Sequence, residues 1–245
     1  MSRYHELVGI QFVSTIEGLD RIEHCRPKPA KFFIPKWFRD IPHTDTHSGV
    51  ATAKVCPSFP DYFSLGYVLP MWSDCRIKYD DSTKKWEWAT PSNLFAWKTH
   101  SPEQFLNYVD ASFSGVRGEF MFKAMCPWRI ITPPGWSVLQ LPLFYHFNRE
   151  WSVLPGVIDT DIHNEINQQV LYHGSGRVIT MKQGDPFVLY VPFQRSARLE
   201  MEISYRTEEQ KAMFAERDLH WDSNFAPNGI YRSWQRTRDR NEQDG

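Results

Sequence analysis

Charge of one sign is missing from this chain: 28 Lys and Arg residues face 29 Asp and Glu residues, a formal net charge of −1. Coating nucleic acid through overall charge requires a basic face, so that class is excluded, and only local basic patches stay open. No run approaches the roughly 18 apolar residues that a membrane span needs. The N-terminal MSRYHELVGIQF carries no apolar signal core either, so the expectation is a cytoplasmic chain with no membrane association. Cysteine is scarce. Cys25, Cys56, Cys75 and Cys126 form no C-x-x-C pair and no zinc spacing, which predicts buried free thiols in a reducing compartment. Walker loops, G-x-S-x-G elbows and catalytic cysteine signatures are absent as well, which leaves nucleophilic catalysis without a visible motif. No internal repeat or low-complexity segment interrupts the chain.

What is present is β patterning. Between Cys126 and Arg195, short runs rich in β-branched and aromatic residues recur at nearly even spacing: Trp128–Thr132, Trp136–Leu141, Val153–Ile158, Glu165–Tyr172, Arg177–Met181 and Pro186–Phe193. Turn residues separate most of them, as at Pro133-Pro134-Gly135, Gly174-Ser175-Gly176 and Gln183-Gly184-Asp185. Such spacing specifies a mainly β barrel or sandwich and leaves no room for βαβ crossovers. At 245 residues the chain can bury roughly 70–75% of its unfolded surface without staples.

Three spans follow from the pattern. Residues 1–125 form an N-terminal β-rich region, 126–195 the β core, and 196–245 a C-terminal helix and Arg/aromatic tail. Tyr4–Val13 is a candidate first strand. Arg26–Pro42, studded with proline, reads as an extended peripheral arm anchored by Phe32, Phe33, Trp37 and Phe38. Ser58–Gly66 reads as a short helical turn stopped by glycine, and Asp74–Trp88 as a hairpin with Cys75, Ile77 and Tyr79 alternating. Ser101-Pro102-Glu103-Gln104 and Thr207-Glu208-Glu209-Gln210 are capping-box starts, predicting helices to about Asp110 and through Leu219, the second with Met213 and Phe214 as its apolar side.

In the core, the order proline-proline-glycine, then GVIDTDIHNEI, then KQGDPFVLYVPF resembles the trimeric dUTPase family and the related dCTP deaminases over Ile130 to Val191. The resemblance implies a β-clip fold. It also implies a role for Asp159, which in that family orients the water attacking the α-phosphate beside Mg2+. Several functional positions depart from the family. Ile162 stands where an aromatic ring packs on deoxyribose, and His163-Asn164 replaces a basic-glycine pair. Leu141-Pro142-Leu143-Phe144 replaces the phosphate-binding arginine-serine pair, and no glycine-rich closing arm follows. The preferred reading of Asp159 is an Asx-type turn residue. Over the whole chain, KWFRDIP, CPSFPDYFSLGY, PWRIITPPGWSVLQLP, GVIDTDI and GDPFVLYVPFQR together resemble the DUF6065-like proteins of tailed phages and some bacteria. That likeness implies a phage-borne, β-rich protein of the host cytoplasm or the virion.

Other constellations are weaker. His43-Thr44-Asp45-Thr46-His47 alternates three potential ligands, yet it sits in a polar loop without a partner motif, so no metal site is assigned. His220-Trp221-Asp222 lacks a third ligand downstream. Aromatic residues reach 15% with ten tryptophans, a surplus that points to contact surfaces. The binding candidates are Trp37 and Phe38 in the arm, and Trp221, Tyr231, Arg232, Trp234 and Arg236 in the tail, where stacking rings alternate with guanidinium forks. The favoured expectation is a non-enzymatic phage structural protein on a dUTPase-like scaffold, a homo-oligomer with the family's trimer as model, binding itself and other phage structural proteins. It needs no cofactor, and nucleic acid is the less favoured partner. The alternative is a divergent nucleotide pyrophosphatase in which Asp159 activates water, Mg2+ is required, and His163 or Arg149 meets phosphate.

Overall fold

The computed structural model describes residues 9–80, 82–83, 85–91, 93–94, 96–99, 121–173, 176–196, 200–219, 233–238 and 240. The chain divides into two compact units, one of Met1–Phe33 with Leu65–Ala197, the other of Ile34–Ser64 with Arg198–Gly245.

The first unit holds the strands: β1 (Gln11–Ser14), β2 (Lys28–Pro29), β3 (Tyr67–Pro70), β4 (Cys75–Asp80), β5 (Lys85–Ala89), β6 (Ala96–Thr99), β7 (Met121–Met125), β8 (Trp128–Ile131), β9 (Trp136–Leu141), β10 (Trp151–Val153), β11 (Gly156–Ile158), β12 (Gln168–Tyr172), β13 (Ile179–Met181) and β14 (Pro186–Gln194). Among the described residues they form four antiparallel sheets, in the orders β11-β9-β14-β3-β2, β10-β12-β7-β6, β13-β4-β5 and β1-β8. The protein is therefore mainly β with few short helices, as the even spacing of apolar runs predicts.

Period-two alternation decides which side chains reach the core. Cys75, Ile77 and Tyr79 of β4 point inward, and so do Gln168, Val170 and Tyr172 of β12. β14 is different: Phe187, Val188, Leu189 and Tyr190 are all buried, because this strand runs between β9 and β3 with both faces covered. The aromatic surplus assigned above to contact surfaces is in good part internal. The Trp86 ring meets Tyr79, Trp97, Phe122 and Tyr172 edge-on at centroid distances of 5.2–5.7 Å. These rings come from five strands in two sheets, and such edge-to-face contacts add about 0.5–1.5 kcal/mol each beyond burial. The four thiols are free as expected, with Cys25, Cys75 and Cys126 buried and Cys56 half-buried. Burial pushes Cys75 and Cys126 up to about 12, so neither is a thiolate at neutral pH.

Two expectations are corrected. Val153–Ile158 is not one strand: β10 pairs with β12 while β11 pairs with β9, and the switch of sheet falls at Leu154-Pro155. Proline donates no ladder hydrogen bond, so the run breaks there. Arg26–Pro42 is not an extended arm. It becomes β2, a 3-10 turn over Ala30–Phe33, and then α1 (Lys36–Asp40), which belongs to the second unit. The first strand begins at Gln11 within the expected Tyr4–Val13 region, whose residues before Gly9 lie outside the described residues. The helix expected from Ser101 lies outside them too.

The second unit holds α1, α2 (Ser58–Phe63), α3 (Glu208–Leu219) and a helical stretch over 233–238. The capping box opening α3 is reciprocal: the Thr207 N–H donates to Gln210 Oε1 at 2.9 Å, and the Gln210 N–H to Thr207 Oγ1 at 3.2 Å. Met213 and Phe214 are both exposed. No helix among the described residues is long and apolar enough to cross a membrane.

One glycine has no substitute. Gly66 precedes β3 with φ +65, and a Cβ there would stand 2.2 Å from the Tyr190 carbonyl oxygen of β14. Both elements are backbone and cannot move aside. Gly66→Ala is therefore expected to destabilise the fold by about 2–4 kcal/mol, the left-handed penalty plus the clash. Thermal unfolding reads this directly, and a midpoint within a degree of the parent would refute the packing described.

Candidate functional site

The Asp159 region is assembled by three chain segments meeting at one end of the five-stranded sheet. β9 begins after Pro133-Pro134-Gly135, with Gly135 at φ +85, a value glycine supplies without strain. β11 ends at Ile158, and the chain then turns over 159–163, closed by the Ile162 and His163 N–H groups donating to the Asp159 carbonyl at 3.0 and 2.8 Å. β14 ends at Gln194, opposite Trp136, which delivers Arg195 to the same place. The Arg195 N–H donates to the Gly135 carbonyl at 2.9 Å, fixing that approach.

The Arg195 guanidinium organises the cluster. It forks onto Asp161, Nη1 to Oδ1 at 2.9 Å and Nη2 to Oδ2 at 2.5 Å. Nη1 also donates to the Trp136 carbonyl at 3.0 Å and to Ser137 Oγ at 2.8 Å. Ser137 passes its own hydroxyl proton to Asp159 Oδ1 at 2.6 Å, and the Arg195–Asp159 ion pair closes at 3.4 Å. Asp161 is the inner carboxylate, its side chain 7% exposed, and it takes the Gly135 N–H at 2.8 Å as well. Asp159 is the outer one, at 52%.

Beneath them lies Thr160, fully buried, with its Oγ1 2.7 Å from Thr132 Oγ1. Thr132 donates its single hydroxyl proton to the Trp136 carbonyl at 3.1 Å, so Thr160 is the donor of the pair. Asn164 Nδ2 then ties the turn to β8 through the Thr160 and Ile130 carbonyls, at 2.7 and 3.1 Å.

Chemically this is a braced turn. A water-activating base needs a lone pair aimed at water, and Asp159 Oδ1 is already engaged by a hydroxyl and a guanidinium. Its Oδ2 accepts no hydrogen bond among the described residues. Both carboxylates are paired with the Arg195 cation, and no group of three or more His, Cys, Asp or Glu converges among the described residues. Asp45, the middle residue of the His43–His47 run, accepts the His47 and Ser48 N–H groups at 3.1 and 2.8 Å and so closes its own loop.

Beside the turn, a shallow hollow is lined by Val13, Ile131, Ile162 and His163 and edged by the Arg129–Glu165 ion pair at 2.9 Å. Ile162 is 78% exposed. The other candidate residues belong to the second unit. Phe38 is buried, its ring stacked on Phe59 at 5.5 Å with an interplanar angle of 13° and capped by Lys54 Nζ at 4.9 Å. It is a core ring there and offers no surface to a partner. Trp37 stands edge-on to Phe38 at 5.5 Å and is half-buried. Trp234 and Arg236 are exposed on the 233–238 helical stretch. Trp221, Tyr231 and Arg232 lie outside the described residues.

Sequence reasoning found Asp159 and missed its three partners. Arg195 closes the quoted core region and Ser137 is the second residue of β9, but nothing in periodicity pairs residues this far apart. The retrievable signal was a lone arginine directly after an apolar strand in a chain with two aspartates in one turn.

The ion pair carries a pH signature. Hydrogen bonds from the Arg195 guanidinium, and then from the Gly135 N–H, hold the Asp161 carboxyl down to about 2 against an ordinary 3.8. A depressed folded-state value means that the unfolded chain binds the proton more tightly. The stabilisation is present above about pH 4 and is lost as pH falls through the folded-state value. Asp161→Asn is expected to flatten the fall in urea midpoint between about pH 4 and pH 2 relative to the parent. Identical slopes would remove the ion pair from the account of acid stability. No family model and no curated protein matches this sequence, so the functional reading rests on the geometry just described.

Proposed function

We propose that the chain is a phage structural protein of the virion or its assembly, built on a dUTPase-like β-clip scaffold without catalysis, and that it acts through contacts with copies of itself and with other structural proteins. The carrying observation is the closed circuit of Asp159, Asp161, Ser137 and Arg195. The residues on which a nucleotide chemistry would depend are bound to one another.

The surface beside the circuit supports the contact role. Ile162, Ile131 and Val13 expose apolar side chains around the hollow, and Val157 is exposed on β11, which is an edge strand among the described residues. The ion pair at the rim carries both signs, so a second copy related by symmetry meets a complementary edge. A trimer is the form the scaffold implies.

The enzymatic alternative draws on a single feature, the half-exposed Asp159 with its Oδ2 not engaged by described residues. One sample separates the two readings. Light scattering of the parent should give a defined oligomer, and Ile162→Asp should lower its order while keeping the thermal midpoint within a few degrees. Thermal shifts with deoxynucleotides and Mg2+ should be absent. A monomer that associates with no virion component would overturn the structural reading. A rise of a few degrees selective for one nucleotide and lost in Asp159→Asn would replace it with the enzyme, since saturating ligand adds about 1–3 kcal/mol to the folded state.

A further inference from the structure

The β9–β10 connection has features that neither the core nor the Asp159 cluster requires. After Pro142-Leu143 the chain makes a 3-10 turn over Phe144–His146 and then places Phe147 in the left-handed region, φ 50 and ψ 37. Phe147 is the one non-glycine residue with positive φ among the described residues. A bulky L residue there costs about 1–2 kcal/mol, and such strain gathers at ligand clamps. The turn is nevertheless held firmly. The Phe147 N–H donates to the Phe144 carbonyl at 3.1 Å, and Asn148 Oδ1 accepts the N–H groups of Glu150 and Trp151 at 2.9 and 3.3 Å.

Under this loop lies a cavity of about 370 Å3, within the size range of small-ligand sites. Its floor is apolar: Trp151, Val153 and Phe187 are buried, and the rings of Trp151 and Phe187 meet at 5.2 Å. Its rim carries Phe144 and Phe147, both more than half exposed and packed on each other at 6.3 Å. Leaving two phenylalanine rings in water over an apolar hollow is unfavourable unless something covers them.

The polar groups of the cavity select the occupant. His146 is pushed below its usual value by burial, with a backbone hydrogen bond to Phe33 acting against that, so it stays uncharged at neutral pH. Ser152 Oγ lies 2.8 Å from His173 Nε2, a hydrogen-bonded pair. Arg149 is the lining cation. It is exposed, and it makes no ion pair or hydrogen bond among the described residues. An apolar chamber with one unengaged guanidinium among its lining residues matches a molecule with an apolar body and one anionic end.

We infer that this cavity binds a small amphipathic anion, an alkyl or aryl carboxylate, with its body against Trp151 and Phe187 and its carboxylate on Arg149. The site is independent of the assembly reading and would stand or fall without it. Calorimetric titration of the full chain with decanoate tests it, with decanol as the uncharged control. The expected result is one saturable decanoate site with a negative heat-capacity change. Decanol should bind about two- to fivefold more weakly, which is the scale of an exposed charge pair. Arg149→Gln should bring decanoate down to the decanol level and leave decanol unchanged. Leu143→Trp, which fills the chamber from a partly exposed wall position, should abolish both while the circular dichroism of the protein stays that of the parent. Absent decanoate binding, or binding untouched by Leu143→Trp, overturns the site. Equal binding of decanoate and decanol overturns the anionic assignment. Loss of self-association in Leu143→Trp with no decanoate binding would give the cavity to a neighbouring chain instead.

Discussion

The Tyr190 hydroxyl holds the two larger sheets in register. It accepts from Gln168 Nε2 of β12 at 2.7 Å and donates to Gln140 Oε1 of β9 at 3.0 Å, and Gln140 Nε2 continues to the Leu154 carbonyl at 2.9 Å. All three side chains are buried. An unpaired amide or phenol in such a place costs about 1–3 kcal/mol, so the chain accepts one alignment of β9, β12 and β14 and rejects its neighbours. A slip by one residue would turn Tyr190 to the opposite face of the sheet and strand both glutamines. The same strand sets the tolerance at Gly66, whose missing side chain leaves space for the Tyr190 carbonyl.

The Asp159 cluster inherits this register. β14 leaves the sheet at Gln194 opposite Trp136, so Arg195 can reach Asp161, Ser137 and the Trp136 carbonyl together. Displacing β14 by two residues, roughly 6–7 Å, would carry the guanidinium out of range of all of them. The motifs on which the dUTPase resemblance rests meet here: proline-proline-glycine supplies the Gly135 N–H, and GVIDTDI supplies both carboxylates. In this chain those two motifs are joined directly, the Gly135 N–H donating to Asp161 Oδ2 at 2.8 Å. Motif order reports how the strand ends are brought together, while chemistry depends on what each side chain has left to offer.

Local signals explain what the sequence made legible. β9 matches its apolar run from Trp136 to Leu141, β4 and β5 follow the Cys75–Tyr79 alternation, and Thr207 with Gln210 starts α3 as a capping box. Each depends on residues a few positions apart. The failures lie where distant partners decide. Val153–Ile158 has strand composition throughout, yet its two halves join different sheets because β12 and β9 are their partners. Phe38 reads as an anchor for a surface and is instead enclosed by Phe59, Phe63 and Lys54. Arg195 reads as the last residue of the core span, and only the fold reveals it as the cation paired with Asp161.

A comparison of the two polar regions shows where this fold keeps capacity for function. Around Asp159 the cation is answered several times over and the backbone turn is relaxed, as expected of an element that fixes geometry. Around the 142–149 loop the reverse holds, with a strained Phe147, two exposed rings and an Arg149 that no described group neutralises. Strain persists only where surrounding structure enforces it, and here β9 and β10 belong to different sheets whose alignment the Tyr190 chain fixes. The cavity under that loop is lined in part by Trp151, Val153 and Phe187, all three buried. A stable scaffold with one poorly satisfied loop is the arrangement by which β proteins separate folding from binding. By that logic the paired aspartates fix the geometry of their turn, and the ligand site proposed above belongs to the aromatic loop.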